Sequence, residues 1–253
     1  MPRSTPSCAV AAGVVTSTLS DFRDRPFLTS AAVGGGRGRP LVVALHGSGG
    51  SPVQLEAQTH LASRGAIAGV NVVLPSAADH IWHNFSIADQ PYLDAVIERV
   101  VHDTCADARA IVLAGFSNGG DEAQTIGCVE AVRWRAVVVV ASSTVPERCV
   151  TGGPPVTLLR VHGLVDNVSP FGGRGGDDPR DPVLPATRRW AAYDGCRIGP
   201  VRSGASLRWS RCTGGTSVEL LALPGLGHAW PTTPDLTGLV LALATGRNRA
   251  SGR

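Results

Sequence analysis

The chain has 253 residues, 43% of them apolar and 5% aromatic, which is room for one large α/β domain or two small ones. All 23 of its Lys and Arg residues are arginines, so a lysine Schiff base, a P-loop lysine and the kinase strand lysine are excluded, and no amine side chain is available as nucleophile or general base. The net charge of +3 comes from arginines scattered along the chain without interleaved aromatics, so no nucleic-acid partner is expected.

At the N-terminus, Arg3 is followed by a weak apolar stretch from Ala9 to Val15, interrupted by Gly13. It is poor material for a signal-peptide core, and no run in the chain reaches the length of a membrane span, so no membrane-spanning segment is expected. Six short, almost wholly apolar runs then recur at 41–45, 71–74, 110–114, 136–141, 156–161 and 218–223, bounded by Gly, Pro or Asn. They do not alternate, and that pattern predicts strands buried on both faces. Helices are predicted between them over 52–66, over 91–102, where Leu93, Val96, Ile97, Val100 and Val101 mark one face, and after Ser117. Strand and helix in repetition predict an α/β fold with a mostly parallel sheet covered on both faces. The tract 171–185, rich in Gly, Pro and Asp, reads as a long surface loop, and the arginine-rich tail from Gly246 onward as frayed. No linker separates two units, and one domain over 1–253 is expected.

Gly115-Phe116-Ser117-Asn118-Gly119 has the form G-x-S-x-G, preceded by a predicted strand and followed by a predicted helix. Small residues on either side of a strand-to-helix turn let a serine project its hydroxyl above the sheet edge. A serine hydroxyl needs a base, and the base needs an orienting carboxylate. In α/β-hydrolases these follow in the chain order Ser, Asp or Glu, His. Asp166 lies just past the run 156–161 and His228 just past 218–223, which places both on loops at the same end of the sheet as Ser117. The candidates for the oxyanion donors are the backbone N–H of Ser48, in His46-Gly47-Ser48-Gly49-Gly50, and that of Asn118. A phosphate cradle at 47–50 has neither of the required glycine patterns. Trp82, Phe116 and Trp230 are candidates for an apolar or aromatic substrate surface, with burial in the core as the competing fate. His80 and His83 have an i, i+3 spacing with no acidic third ligand following at a recognisable interval, and read as loop histidines; no metal is expected.

Cys8, Cys105, Cys128, Cys149, Cys196 and Cys212 contain no C-x-x-C pair. Their even number suggests disulfides and an oxidising compartment, against the alternative of buried thiols in a cytosolic enzyme. On spacing alone the pairing is open. A bridge between Cys196 and Cys212 would contribute about 3 kcal/mol in the chain-entropy model.

Taken together, Leu45-His46-Gly47, Gly49-Gly50-Ser51, Gly115 to Gly120, His162-Gly163 with Asp166, Val168 and Gly172-Gly173, Trp190, Asp194-Gly195-Cys196, Cys212, and Gly227-His228 with Trp230-Pro231 resemble the polyhydroxybutyrate depolymerase and feruloyl esterase family of secreted α/β-hydrolase esterases. The resemblance covers about Cys8 to Pro231. It implies an α/β-hydrolase fold, Ser117 as nucleophile with Asp166 and His228 as partners, and a Cys196–Cys212 disulfide. It also strengthens the reading of an enzyme that acts on esters outside the cell or in the periplasm; a monomer that needs no cofactor is expected. Two departures from the family pattern are Asp121, where an apolar residue is usual, and Thr232-Thr233 in place of Gly-Gly after Pro231. A serine peptidase and a non-catalytic binding protein on the same fold are the alternatives to the esterase.

Overall fold

The computed structural model describes Cys8 and residues 13–84, 86–144, 153–176 and 180–247. Its centre is a ten-stranded sheet in the order β1-β2-β4-β3-β5-β6-β7-β10-β9-β8. The six interior strands are β3 (Leu41–Leu45), β4 (Asn71–Pro75), β5 (Ile111–Phe116), β6 (Trp134–Val140), β7 (Thr157–Gly163) and β10 (Val218–Leu223), and neighbours among them pair in parallel. These are the six apolar runs, and both faces of each interior strand are covered. Leu41, Val43, Leu45, Ile111, Leu113, Val137 and Val139 pack into one apolar cluster. The alternate residues Val42, Ala44, Val112, Ala114, Ala136 and Val138 pack into a second. Because successive side chains point to opposite faces, a strand buried on both sides reads as a nearly continuous apolar run, and its few polar members, such as Asn71, Arg160 and His162, are themselves buried.

The helices supply the covers. α3 (Gln90–Thr104), α4 (Asn118–Val129) and α5 (Val183–Tyr193) contribute Val96, Ile126 and Trp190 to the first cluster. α1 (Pro52–Thr59), α2 (Leu61–Ala68) and α6 (Leu236–Thr245) contribute Leu55, Leu61 and Val240 to the second. The helix expected over 52–66 is two helices, broken at His60, whose φ of 52° is left-handed. Glu56 makes the break tolerable, since its carboxylate accepts the N–H groups of Ala62 (2.7 Å) and Ser63 (3.0 Å) at the start of α2. The expected loop 171–185 also needs correction. Its last three residues open α5, and Arg174 and Arg180 form an antiparallel bridge with reciprocal bonds of 2.9 and 2.7 Å.

Four strands escape the apolar-run criterion. β1 (Val14–Leu19) and β2 (Phe22–Ser30) form an antiparallel hairpin at one edge, and β8 (Ile198–Ser203) and β9 (Ser206–Ser210) form another at the opposite edge. Edge strands face water, and every residue of β8 is exposed, so their sequences carry polar side chains more freely than the interior strands do. Val14 and Val15 of the weak N-terminal apolar stretch belong to β1, whereas Ala9 to Ala12 and the tail beyond Arg247 lie outside the described residues. Among the described residues no helix is long and apolar enough to cross a membrane.

Disulfides join Cys8 to Cys105 and Cys196 to Cys212, and Cys128 is also disulfide-bonded. The first closes a chain separation of 97 residues and the second one of 16. In the chain-entropy model these contribute about 5 and about 3 kcal/mol respectively. Urea denaturation of Cys8→Ala/Cys105→Ala and of Cys196→Ala/Cys212→Ala is therefore expected to show the larger loss for the first pair.

Candidate active site

The glycines of the segment 115–120 follow from how closely three chain segments meet. A Cβ on Gly115 would lie 1.9 Å from the carbonyl oxygen of Gly119, and one on Gly119 would lie 2.4 Å from the carbonyl oxygens of both Leu45 and His46. The turn from β5 into α4 thus sits in backbone contact with the end of β3, where no side chain fits. Between these glycines Ser117 has φ 54° and ψ −122°, a conformation that a non-glycine residue keeps only when its surroundings enforce it. The enforcement is visible: the Ser117 N–H donates to Val140 on β6 (2.8 Å), and its carbonyl accepts the N–H groups of Gly120 (2.7 Å) and Asp121 (3.1 Å).

Gly163 repeats the device at the end of β7. A Cβ there would lie 2.0 Å from the Leu226 carbonyl oxygen, so the loop bearing His228 rests directly on the turn bearing Asp166. The Asp166 Oδ1 accepts the N–H groups of Val168 (2.9 Å) and Ser169 (2.8 Å), which folds the turn around the carboxylate. Its Oδ2 lies 2.8 Å from His228 Nδ1, and His228 Nε2 lies 2.8 Å from Ser117 Oγ. The Asp166 side chain is fully buried, and that of His228 is 16% exposed. With a carboxylate as acceptor, the neutral imidazole carries its proton on Nδ1 and accepts the Ser117 hydroxyl proton at Nε2. The structure therefore brings together the three residues that the sequence places on separate loops.

The segment from His46 to Gly50 runs beside this turn. A Cβ on Gly47 would lie 3.3 Å from the Ser117 Cβ. The Gly49 N–H donates to the His80 carbonyl (2.9 Å) and the Gly50 N–H to that of Gly47 (3.0 Å). Among the described residues the N–H groups of Ser48 and Asn118 donate to no other backbone group. His46, 2% exposed, braces the segment from below by donating from Nδ1 to the Gly47 carbonyl (2.8 Å) and accepting the Ala77 N–H at Nε2 (3.0 Å). Burial holds its pKa below the ordinary imidazole value, as two such bonds to a neutral ring require.

Two of the expected substrate contacts need correction. Trp82 is 1% exposed and its indole N–H donates to the His46 carbonyl (2.9 Å). Trp230 is 8% exposed and donates to Thr237 Oγ1 (3.1 Å). Both rings are core with satisfied indole donors and present no binding face. Phe116 alone of the three borders the catalytic candidates, its ring centroid 5.1 Å from that of His228. His80 and His83 do not converge either: the His80 Nδ1 lies 2.9 Å from the Gly50 carbonyl, and the His83 Nδ1 lies 3.1 Å from Asp89. Among the described residues no group of three metal-ligating side chains exists.

Several supporting residues escape sequence reading. The Asn118 side chain grips the backbone of Trp82, accepting its N–H (2.8 Å) and donating to its carbonyl (3.2 Å), so that the start of α4 is fastened to the segment beneath Gly49. Asp121, one of the departures from the family pattern, is 1% exposed and accepts from the Ser142 hydroxyl and from Arg180 (3.0 Å). Arg160, fully buried on β7, donates to the Ser142 carbonyl (2.6 Å) and to Gln124 (2.5 Å). A charged and amide network thus ties α4 to the segment after β6, to β7 and to the segment before α5. The i, i+3 and i, i+4 spacing of Asp121, Gln124 and Thr125 is a legible signal of one polar helix stripe; its partners come from distant strands and are not.

No protein-family model matches the chain. The chain is 29% identical over 177 residues to a probable feruloyl esterase C of Aspergillus oryzae, an alignment spanning 66% of this chain and 62% of that protein. The chain thus spans less than two thirds of the length of that relative. Among solved structures, the feruloyl esterase module from Clostridium thermocellum complexed with sinapinate superposes with a TM-score of 0.66 at 14% identity, covering 96% of this chain and 91% of that one. The poly(3-hydroxybutyrate) depolymerase LpqC from Bordetella parapertussis superposes with a TM-score of 0.58 at 18% identity, covering 94% and 92%. The fold is that of the α/β-hydrolases, and the resemblance read from the motifs is matched by this sequence similarity to a feruloyl esterase C.

Next to Asp121, Glu122 is fully buried on α4, and among the described residues neither carboxyl oxygen has a hydrogen-bond partner. Burial, reinforced by nearby Asp89, pushes its pKa from 4.5 up to about 8. Below the lower value the carboxyl is protonated in both folded and unfolded chains. Between the two values only the unfolded chain ionises, so this group removes stability as pH rises, at about 1.4 kcal/mol per pH unit as an upper bound. Thermal melts from pH 5 to pH 8 are expected to fall more steeply for the wild type than for Glu122→Gln, whose amide does not titrate.

Proposed function

We propose that the chain is a serine carboxylic-ester hydrolase working through an acyl-enzyme. The observation that carries this reading is the hydrogen-bonded series Ser117 Oγ, His228 Nε2, His228 Nδ1, Asp166 Oδ2, with 2.8 Å at each of its two contacts. The Ser117 oxygen attacks the ester carbonyl as its proton passes to His228 Nε2. Asp166 keeps the ring in the productive tautomer and balances the imidazolium charge. The carbonyl oxygen, now an anion, takes the free N–H groups of Ser48 and Asn118, donors whose positions are set by backbone before the substrate arrives. Collapse of the tetrahedral intermediate breaks the carbon–oxygen bond, and the departing alcohol takes the proton from His228. Water repeats the sequence in reverse, with His228 accepting its proton, and releases the acid and the Ser117 hydroxyl.

The substrate class comes from the similarity to a feruloyl esterase C and, in fold, to a feruloyl esterase module and a poly(3-hydroxybutyrate) depolymerase. Feruloyl or acetyl esters and hydroxyalkanoate oligoesters are the proposed substrates, and Phe116 beside His228 is the proposed apolar wall for the acyl group. The disulfides favour work in an oxidising compartment, outside the cell or in the periplasm. A panel of p-nitrophenyl acetate, methyl ferulate, acetylated xylan and hydroxybutyrate oligomers tests the reading. At least one should be cleaved by the wild type, with kcat lowered by about 10⁴-fold or more in Ser117→Ala. Equal rates for the two proteins on every ester would overturn it.

A further inference from the structure

The histidine of His162-Gly163 has no part in the proton transfers above, yet it is the second imidazole against the same carboxylate. His162 occupies the penultimate position of β7 and is completely buried. Its Nε2 lies 2.7 Å from the Ser169 carbonyl oxygen and 3.5 Å from Asp166 Oδ2, the oxygen that also meets His228. The Ser169 N–H in turn donates to Asp166 Oδ1. The turn is therefore a closed loop of contacts running from His162 to Ser169, from Ser169 to Asp166, and from Asp166 back to His162. The His162 ring packs edge-on against Phe171, with centroids 6.0 Å apart at 73°.

Two further facts separate this from ordinary core packing. Among the described residues His162 Nδ1 has no hydrogen-bond partner although it is buried, an arrangement that costs about 1–3 kcal/mol and that an apolar side chain would avoid. Burial also holds the ring below the ordinary imidazole pKa, and the charged and titratable groups acting on it are Asp166, Arg160 and His228. A neutral ring bonded to the Ser169 carbonyl must carry its proton on Nε2, and Asp166 Oδ2 lies 3.5 Å from that same nitrogen.

We propose that His162 is a positioning residue of the active site, whose Nε2–H, bonded to the Ser169 carbonyl and 3.5 Å from Asp166 Oδ2, holds the turn around the carboxylate in the orientation that His228 requires. This rests on the hydrolase reading, because it assigns His162 a role through Asp166 and His228. The bond to the Ser169 carbonyl fixes the residue whose N–H Asp166 Oδ1 accepts, and the Nε2–H lying beside Oδ2 opposes rotation of the carboxylate away from His228. Its loss should weaken orientation of the general base while leaving the pocket that meets the substrate in place.

The test compares His162→Leu, which deletes the donor, with His162→Gln, whose amide N–H can reach the Nε2 position. In the leucine variant kcat is expected to fall by about tenfold or more with KM within about twofold, and the acid limb of the pH–rate profile to move. The glutamine variant should recover most of the rate and the wild-type limb. The His228 Nδ1 proton resonance, recorded by NMR in a Ser117→Ala background, should shift with His162→Leu and stay with His162→Gln. That measurement needs no turnover, so it tests the contact even if no ester is hydrolysed. If the leucine variant does not fold, His162→Asn, whose shorter amide falls short of Asp166, replaces it. An unmoved His228 resonance, an unchanged kcat in the donor-deleted variant, or a glutamine variant as impaired as it would each overturn the proposal.

Discussion

The structure depends on close backbone approach at the ends of the central strands. β3, β5 and α4 converge so tightly that a single methyl group at Gly115 or Gly119 would overlap a carbonyl oxygen, and β7 meets the loop after β10 with the same intimacy at Gly163. These two contacts fix the position of Ser117 relative to the segment 46–50 and of Asp166 relative to His228. Side chains joined by 2.8 Å hydrogen bonds tolerate little displacement, and backbone-to-backbone contact is the stiffest support a protein can provide. The left-handed φ of Ser117 is the strain that this arrangement maintains.

Around that frame the protein buries an unusual amount of charge. α4 is covered almost along its whole length, yet it carries Asp121 and Glu122. Asp121 has the Ser142 hydroxyl and Arg180 to satisfy it, whereas Glu122 stays neutral through its raised pKa. Arg25, 7% exposed, lies 2.7 Å from Asp89 and stacks 3.8 Å from the centroid of Tyr92. Arg160 divides its donors between Ser142 and Gln124. A flat guanidinium with five donors can satisfy several acceptors and stack at once, which suits a chain without lysine to such interior positions. The network gives the helix after Ser117 fixed partners on β7 and on the segment that follows β6, so the polar groups there specify one packing of α4 rather than adding to the apolar core.

Legibility in the sequence followed burial. The six interior strands stand out because residues such as Leu41 to Leu45 are apolar at every position, the signature of a strand covered twice. β1, β2, β8 and β9 are missed because their outward side chains meet water, leaving no continuous run to detect. The break at His60 is equally silent, since the apolar spacing of Leu55, Leu61 and Ala62 continues across it and only Glu56 reaching forward shows why the chain restarts there. Trp82 and Trp230 show the limit in the opposite direction: a large aromatic beside a motif reads as a binding wall or as core with equal ease, and only the partners of their indole N–H groups decide for core.

By itself the sequence determined the parallel α/β architecture, the chain order of Ser117, Asp166 and His228, and the need for glycine around the serine, because burial, motif spacing and the absence of Cβ are local properties. Only the tertiary structure decided which groups touch. His162 against Asp166, Asn118 on the Trp82 backbone and Arg180 on Asp121 join residues 4, 36 and 59 positions apart. No periodicity encodes such pairs, since side-chain contact depends on how the strand ends and loops converge above the sheet, and that convergence exists only once the whole core has packed.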